Sequence, residues 1–378
     1  MSERLVGAKR AMSRAEADRI VERLAEHLDK AYGISDVELL LVDYRLAALL
    51  PLDGDREPLT RPGHPAWRCF DHQAEVVTDG VVYLPVTMRG DRLGVLRLAP
   101  LPEDERRAEL AEIATYLAHE VMAVRGSTDR YLVAARARRL TLAAEMQWEL
   151  LPGRSRYRSS FALAGQLEPA YSVRGDSFDW ADDDHRLWVA AVNGSGEGVA
   201  AAALTSLATY ALRNARRAGL ALADQAALAD QAVYARYRGR EHLAALLLEL
   251  DLRTGVVTAV DAGSPRLLLL RGSEVADVEL EKQLPLGMFD GTLYRPQTFE
   301  LAVGDRLFVV SDGVYEATDR SGARYGDAAL TRFVRRNRHL STLAAVRALL
   351  GELRAHVTAD LDDDAVVVCL DWTGPKGA

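Results

Sequence analysis

The chain has 378 residues, enough for two domains of ordinary size and a connector. It is 49% hydrophobic and 27% charged, the composition of a soluble globular protein, and its net charge of -8 argues against a nucleic-acid reader, which needs a concentrated basic face. The start, MSERLVGAKR, lacks the apolar core of a secretory signal, no apolar run reaches the ~18 residues of a membrane span, and the two cysteines, Cys69 and Cys369, fall in separate candidate domains; the expected setting is a reducing cytoplasm, away from membranes.

In chain order, Val21, Leu24, Leu28 and Ala31 recur at helical spacing and predict a helix over 14–32. A compact apolar run at 37–42 has strand length, and the Pro-, Gly- and Asp-rich stretch 51–65 reads as a loop. Strands at 81–88 and 92–99 flank Arg89-Gly90-Asp91, where the Gly-Asp pair suits a tight turn, and a helix over 102–125 follows with Leu110, Ile113, Leu117, Val121 and Val124 on one face. This order of helix, strands, hairpin and helix resembles a GAF-type sensor domain, most clearly in LPVTMRGDRLGVL at 84–96. PAS domains share the plan, and a small α+β dimerisation module is the alternative. The resemblance implies a sensor domain over 1–126, of a kind that often binds a small molecule.

Residues 127–152 read as a connecting helix. Val133, Ala137, Leu140, Ala144, Trp148 and Leu151 form one stripe, suited to pairing with its copy in a homodimer or to packing on the next domain, and Pro152-Gly153 ends it. From Phe161 onward, short closely spaced strands are predicted at 161–167, 186–192, 243–250, 256–260, 266–270, 306–310 and 365–370. Helices are predicted at 199–218, 221–236, 327–336 and 340–357. Tight turns argue for antiparallel pairing, and the whole for an α+β chain whose last domain, 153–378, holds sheets between helical layers.

Three acidic spots stand at the ends of apolar strands. Asp176 lies ahead of the polar tip Asp182-Asp183-Asp184 and its strand, Asp312 ends Leu307–Val310, and Asp363 and Asp364 begin Ala365–Val368; Asn193 ends the strand 187–192. Each alone has a plain reading as a turn residue. Together, at one edge of a sandwich, grouped carboxylates would repel unless a cation balanced them. Oxygen donors without paired His or Cys favour magnesium or manganese over zinc.

The segments Gly175-Asp176-Ser177-Phe178-Asp179, Ser195-Gly196-Glu197-Gly198, Asp261-Ala262-Gly263-Ser264-Pro265, Pro285-Leu286-Gly287, Gly304-Asp305, Ser311-Asp312-Gly313-Val314-Tyr315-Glu316-Ala317 and Asp363-Asp364-Ala365 occur in the order seen in bacterial protein phosphatase 2C enzymes of the stage II sporulation protein E type. EMQWELLP at 145–152 is similar to that family's lead-in helix. The resemblance spans about 141–372. It implies a β-sandwich flanked by helices, two Mn2+ or Mg2+ ions at one edge, and hydrolysis of phosphoserine or phosphothreonine by a metal-activated water. By position, Asp176 would hold one ion and Asp312 and Asp363 the other, with the Gly194 carbonyl as a further ligand. The implied substrate class is a phosphorylated STAS-type anti-sigma-factor antagonist.

Three positions depart from the family pattern. Asn193 stands where the bridging aspartate is expected; its oxygen can coordinate but brings no charge, which weakens metal binding. Ser264 replaces a usual histidine. Arg174 replaces a common glycine, and either a substrate phosphate or a surface carboxylate would satisfy it. Two functions therefore stay open: a working metal-dependent phosphatase, or a pseudophosphatase that binds a phosphoprotein without turnover.

Overall fold

The computed structural model describes residues 2–375 apart from 55, 62, 102–103, 170–172, 264 and 358–360. Two units divide it, residues 1–139 and 140–378. The first contains α1 (Glu3–Ser13), α2 (Ile20–Tyr32), β1 (Asp36–Val42), β2 (Leu49–Pro51), α3 (Pro65–His72), β3 (Val76–Thr78), β4 (Val81–Met88), β5 (Asp91–Ala99), α4 (Asp104–Ala123) and α5 (Arg130–Ala134). Its five strands form one antiparallel sheet in the order β2-β1-β5-β4-β3. Period-two alternation buries Val82, Leu84 and Val86 of β4 against Leu24 and Leu28 of α2 and Leu110, Ile113 and Leu117 of α4.

Local differences from the sequence reading have local causes. The helix expected over 14–32 starts at Ile20, where the apolar stripe itself begins. The β4–β5 turn is Arg89-Gly90, both with positive φ, and Asp91 already pairs with Met88. The stretch 129–151 is not one helix. It breaks after Ala134 and restarts as α6 (Leu142–Leu150), because the Thr141 hydroxyl accepts the Ala144 N–H and caps a new helix. The proposed connector is thus shared out, α5 with the first unit and α6 with the second, and the stripe from Val133 to Leu151 is not continuous.

The second unit continues with β6 (Ser155–Tyr157), β7 (Phe161–Glu168), β8 (Ser177–Asp182), β9 (Arg186–Asn193), α7 (Gly198–Arg217), α8 (Leu222–Tyr237), β10 (Ala244–Asp251), β11 (Val256–Ala262), β12 (Arg266–Arg271), β13 (Glu274–Asp277), β14 (Gln297–Glu300), β15 (Arg306–Val310), α9 (Asp312–Tyr315), α10 (Tyr325–Arg336), α11 (Thr342–Val357) and β16 (Ala365–Trp372). Two antiparallel sheets result, β14-β11-β10-β9-β8 and β13-β12-β15-β16-β7-β6. They meet where Gly165 of β7 leaves room for the stacked rings of Phe178 and Trp180 of β8. On the outer face of the first sheet, Leu204, Ala208 and Leu212 of α7 and Ala226, Ala229 and Val233 of α8 cover Val192, Leu247 and Val260. Across the sandwich α11 lies on β7 and β16, burying Leu343, Val346, Leu349 and Leu353. Layers on both sides explain why β15 and β16 are near-continuous apolar runs: each has two faces to bury.

Candidate metal centre

Antiparallel pairing brings the four candidate side chains to one edge. Asp176 immediately precedes β8 and Asn193 closes β9, with Ser177 opposite Val192. Asp312 follows β15 by one residue beyond Ser311, and Asp363 precedes β16 with Asp364 between, while Val310 lies opposite Val367. The end of one strand and the start of its antiparallel partner share an edge, so each sheet presents a pair.

Specific contacts lock the pairs together. The Asn193 amide nitrogen donates to Asp312 Oδ1 at 2.5 Å. Gly175 has φ 99°, and a Cβ added to Gly194 would sit 2.8 Å from the Gly175 carbonyl oxygen, so the Asn193-Gly194 corner packs directly on the turn that carries Asp176. A Cβ on Gly313 would come within 2.0 Å of the Asp364 carbonyl oxygen, which sets Asp312 beside Asp363 and Asp364. Ser311 joins the strands: its hydroxyl accepts the Val366 N–H at 2.9 Å and donates to the Asp364 carbonyl at 3.3 Å.

The electrostatics follow from this crowding. Asp176 is fully buried, and both its carboxylate oxygens lack a hydrogen-bond partner. Burial pushes its carboxyl well above the usual range; the nearby Ser311 hydroxyl offsets part of this, and the charges of Asp364, Asp312 and Asp363 push it further. Asp363 is pushed up to about 6 by burial and by Asp312, with the Asp364 N–H and Arg174 opposing. A cleft of about 280 Å³ opens beside them, lined by Arg174, Asp312, Gly313, Glu316, Thr318 and Asp363 among others. Arg174 pairs across its rim with Glu197 at 3.0 Å.

Among the described residues no group of three or more His, Cys, Asp or Glu side chains is arranged so that it could hold a metal ion. Asn193 occupies one candidate position and turns its nitrogen to Asp312. The donor set nevertheless fits a hard divalent cation: it is all oxygen apart from that amide, and it includes a buried carboxylate whose oxygens lack a hydrogen-bond partner and whose desolvation the nearby Ser311 hydroxyl offsets only in part.

Other motif residues are structural. Asp179 is buried against Arg213 at 2.9 Å and Arg216 at 3.2 Å. Asp305 accepts the Ala302 N–H at 2.8 Å and pairs with Arg271. Leu286 bridges Leu243, and the Gly287 N–H donates to Asp230 at 2.8 Å. Ser264 lies outside the described residues. The sequence places Asp364 at the start of its strand without giving it a role, and gives Gln147 none. Asp364 is buried and accepts the backbone N–H groups of Arg174 at 2.9 Å and Gly175 at 3.0 Å, and Gln147 donates to it at 2.7 Å. The Asp363-Asp364 doublet was the available signal for the first; Gln147, one amide on an apolar helix face, gave none.

A family model described as Stage II sporulation protein E matches residues 183–373, about half the chain. The chain belongs to this family. The stage II sporulation protein E match takes in Asn193, Gly194, Asp312 and Asp363 and begins after Asp176. Among solved structures, the phosphatase domain of SpoIIE with a fragment of its regulatory domain, from Bacillus subtilis, is 19% identical with a TM-score of 0.50, over 57% of this chain and 65% of that one. The SiaA phosphatase domain of Pseudomonas aeruginosa is 20% identical with a TM-score of 0.50, over 56% of this chain and 85% of that one. The RsbU and RsbW domains of a Mycobacterium tuberculosis protein are 22% identical with a TM-score of 0.49, over 60% and 62%. The SpoIIE and SiaA likenesses show the fold, that of a PP2C-type domain. The chain thus spans less than two thirds of the SpoIIE and of the RsbU–RsbW structure. No curated protein matches. Among the described residues no helix is long and apolar enough to cross a membrane.

Proposed function

We propose that this chain is a metal-dependent protein serine/threonine phosphatase acting on a phosphorylated STAS-type anti-sigma-factor antagonist in a cytoplasmic regulatory switch. The observation that carries this reading is Asp176: a fully buried carboxylate without a partner, close enough to Asp312 and Asp363 to feel their charge. A divalent cation is the group that turns this arrangement from a cost into a site.

Asp176 would hold one Mn2+ or Mg2+ and Asp312 and Asp363 the second, with the Gly194 carbonyl as a further oxygen. Such ions, when bound, lower the pKa of a coordinated water and neutralise charge on the phosphoryl group. Asn193 can contribute only by rotating its amide, so that oxygen rather than nitrogen faces the site. Arg174 stands on the cleft wall, and its partly exposed pair with Glu197 is of a kind that costs little to exchange for a substrate phosphate. For residues 1–126 the proposal is a GAF-like sensor with a small-molecule ligand, supported by the five-stranded antiparallel sheet with helices packed on one face.

A specific observation favours a second reading, a pseudophosphatase that binds a phosphoprotein without turnover. The Asn193 amide donates to Asp312 and so occupies a carboxylate that the metal reading needs. Phosphate release from a phosphoserine protein with Mn2+ separates the two. Activity in the wild type that Asp312→Ala abolishes supports the enzyme. A silent wild type rescued by Asn193→Asp supports the binding protein.

A further inference from the structure

The segment YARYRGR at 234–240 ends α8 and runs past it. Its arginines, Arg236, Arg238 and Arg240, are all exposed. Arg236 lies over the Tyr237 ring at 5.3 Å and Arg238 over the Tyr234 ring at 5.8 Å, and Arg240 Nε donates to the Tyr237 carbonyl at 3.3 Å. Among the described residues no carboxylate forms an ion pair with any of the three. Glu241, next in sequence, instead accepts the Ser195 hydroxyl at 3.0 Å. In a chain of net charge -8 carboxylates are in surplus, so composition alone does not leave three neighbouring arginines unpaired.

An apolar element sits on the same turn. A Cβ added to Gly239 would meet the Met288 carbonyl oxygen at 2.7 Å. Both ends of the loop 287–294 are tied to one side chain: Asp230 of α8, fully buried, accepts the Gly287 N–H at 2.8 Å and the Tyr294 hydroxyl at 3.2 Å. Between those ties Phe289 is 55% exposed and Leu293 86%. The loop is held to α8 at both ends while it presents two large apolar side chains to water.

Folding alone does not account for this pairing. The helix macrodipole favours a cation in the last turn, which covers Arg236 but not Arg238 and Arg240 beyond the helix end. Single exposed apolar residues are ordinary. Two on a tethered loop, beside arginines already ordered on tyrosine rings, have the composition and preorganisation of a protein-binding hot spot. A membrane-surface cluster takes about four to eight Lys or Arg, more than this patch offers.

We propose that the end of α8 and the 287–294 loop form a docking site for an acidic segment of a partner protein. Its carboxylates meet Arg236, Arg238 and Arg240, and its apolar side chains lie against Phe289 and Leu293. The patch flanks the candidate metal centre, because Ser195, which follows Gly194, donates to Glu241 and to the His242 carbonyl at 2.7 Å. The partner is then the phosphoprotein itself, held beside the site that acts on it. That last assignment rests on the metal-dependent reading above, whereas the binding does not.

Fluorescence anisotropy of a labelled glutamate-rich peptide carrying two leucines, titrated with the full chain in EDTA at low ionic strength, tests the site without metal. The wild type is expected to bind, and added salt to weaken binding. Arg238→Glu with Arg240→Glu should weaken it at least tenfold, and Phe289→Ser with Leu293→Ser at least threefold. All four side chains are exposed, so melting temperature and Mn2+ uptake should stay those of the wild type. No binding by the wild type, binding that neither pair of substitutions weakens, or equal binding of a peptide with lysine in place of glutamate overturns the proposal. So does binding to phosphatidylserine vesicles that the arginine substitutions weaken more than they weaken peptide binding, which would make the patch a membrane surface. A wild type that binds the peptide yet takes up no Mn2+ contradicts the metal reading and supports the docking site.

Discussion

Asp176 and Asp363 hold their place at a cost that the fold does not recover by itself. The Asp363 carboxyl titrates near 6 in the folded chain against 3.8 for an ordinary aspartate. The folded state therefore keeps the proton longer, and this contribution to stability is full below pH 3.8 and lost as pH rises through about 6. Asp176 acts in the same direction. The melting temperature of EDTA-treated protein is expected to fall between pH 5 and pH 7, and Asp363→Asn is expected to reduce that fall. At pH 7 Asp176→Asn should melt about 2–4 °C higher than the wild type, the shift that ~1 kcal/mol gives a domain of this size, while losing metal uptake. A lower melting point in EDTA would show that these carboxylates are satisfied after all. Asp312 and Asp363 stand out in the sequence because each borders an apolar strand, and Asp176 because it lies in a turn ahead of a polar tip. The contacts of Asp364 and Gln147 are not legible there, because they depend on backbone N–H and carbonyl groups that the Arg174–Asp176 turn presents only once folded.

At the scale of elements, the strands with two covered faces were the easiest to read. β15 and β16 are near-continuous apolar runs, and their bounds agree with expectation to within two residues. β8 escaped notice because Asp179 and Asp182 interrupt its pattern; their charges are met by Arg213 and Arg216 of α7 and by Arg156 and Arg158, partners remote in sequence. β13 and β14 are edge strands of four residues each, with no fully buried side chain to mark them. The break between α5 and α6 turns on one hydroxyl, that of Thr141, inside an otherwise helical pattern. The close approach of α9 to the start of β16 yields a sharp expectation. Gly313→Ala places a Cβ against the Asp364 carbonyl, should cost about 1–3 kcal/mol or more, and should weaken Mn2+ uptake by displacing Asp312 from Asp363. Denaturant melts and titration on the same sample check both, and a variant as stable as the wild type would contradict the contact.

For the whole molecule, the expected α+β class and the sandwich between helical layers are what the second unit shows, and its family model match agrees. The domain limits shifted, because α6 packs with the sandwich through Gln147 and through Arg213, which donates to the Leu150 carbonyl at 2.6 Å. Residues 140–378 expressed alone are therefore expected to melt cooperatively and to take up Mn2+ with the affinity of the full chain, whereas a fragment starting at 153 should lose both. Metal uptake and phosphatase activity both require that the distant carboxylates meet around a cation. Calorimetric titration of Mn2+ into the metal-stripped full chain, wild type beside Asp176→Asn and Asp312→Ala, addresses it most directly. Uptake by the wild type that each substitution weakens at least tenfold is the expected result; no uptake, or uptake that neither substitution changes, contradicts it.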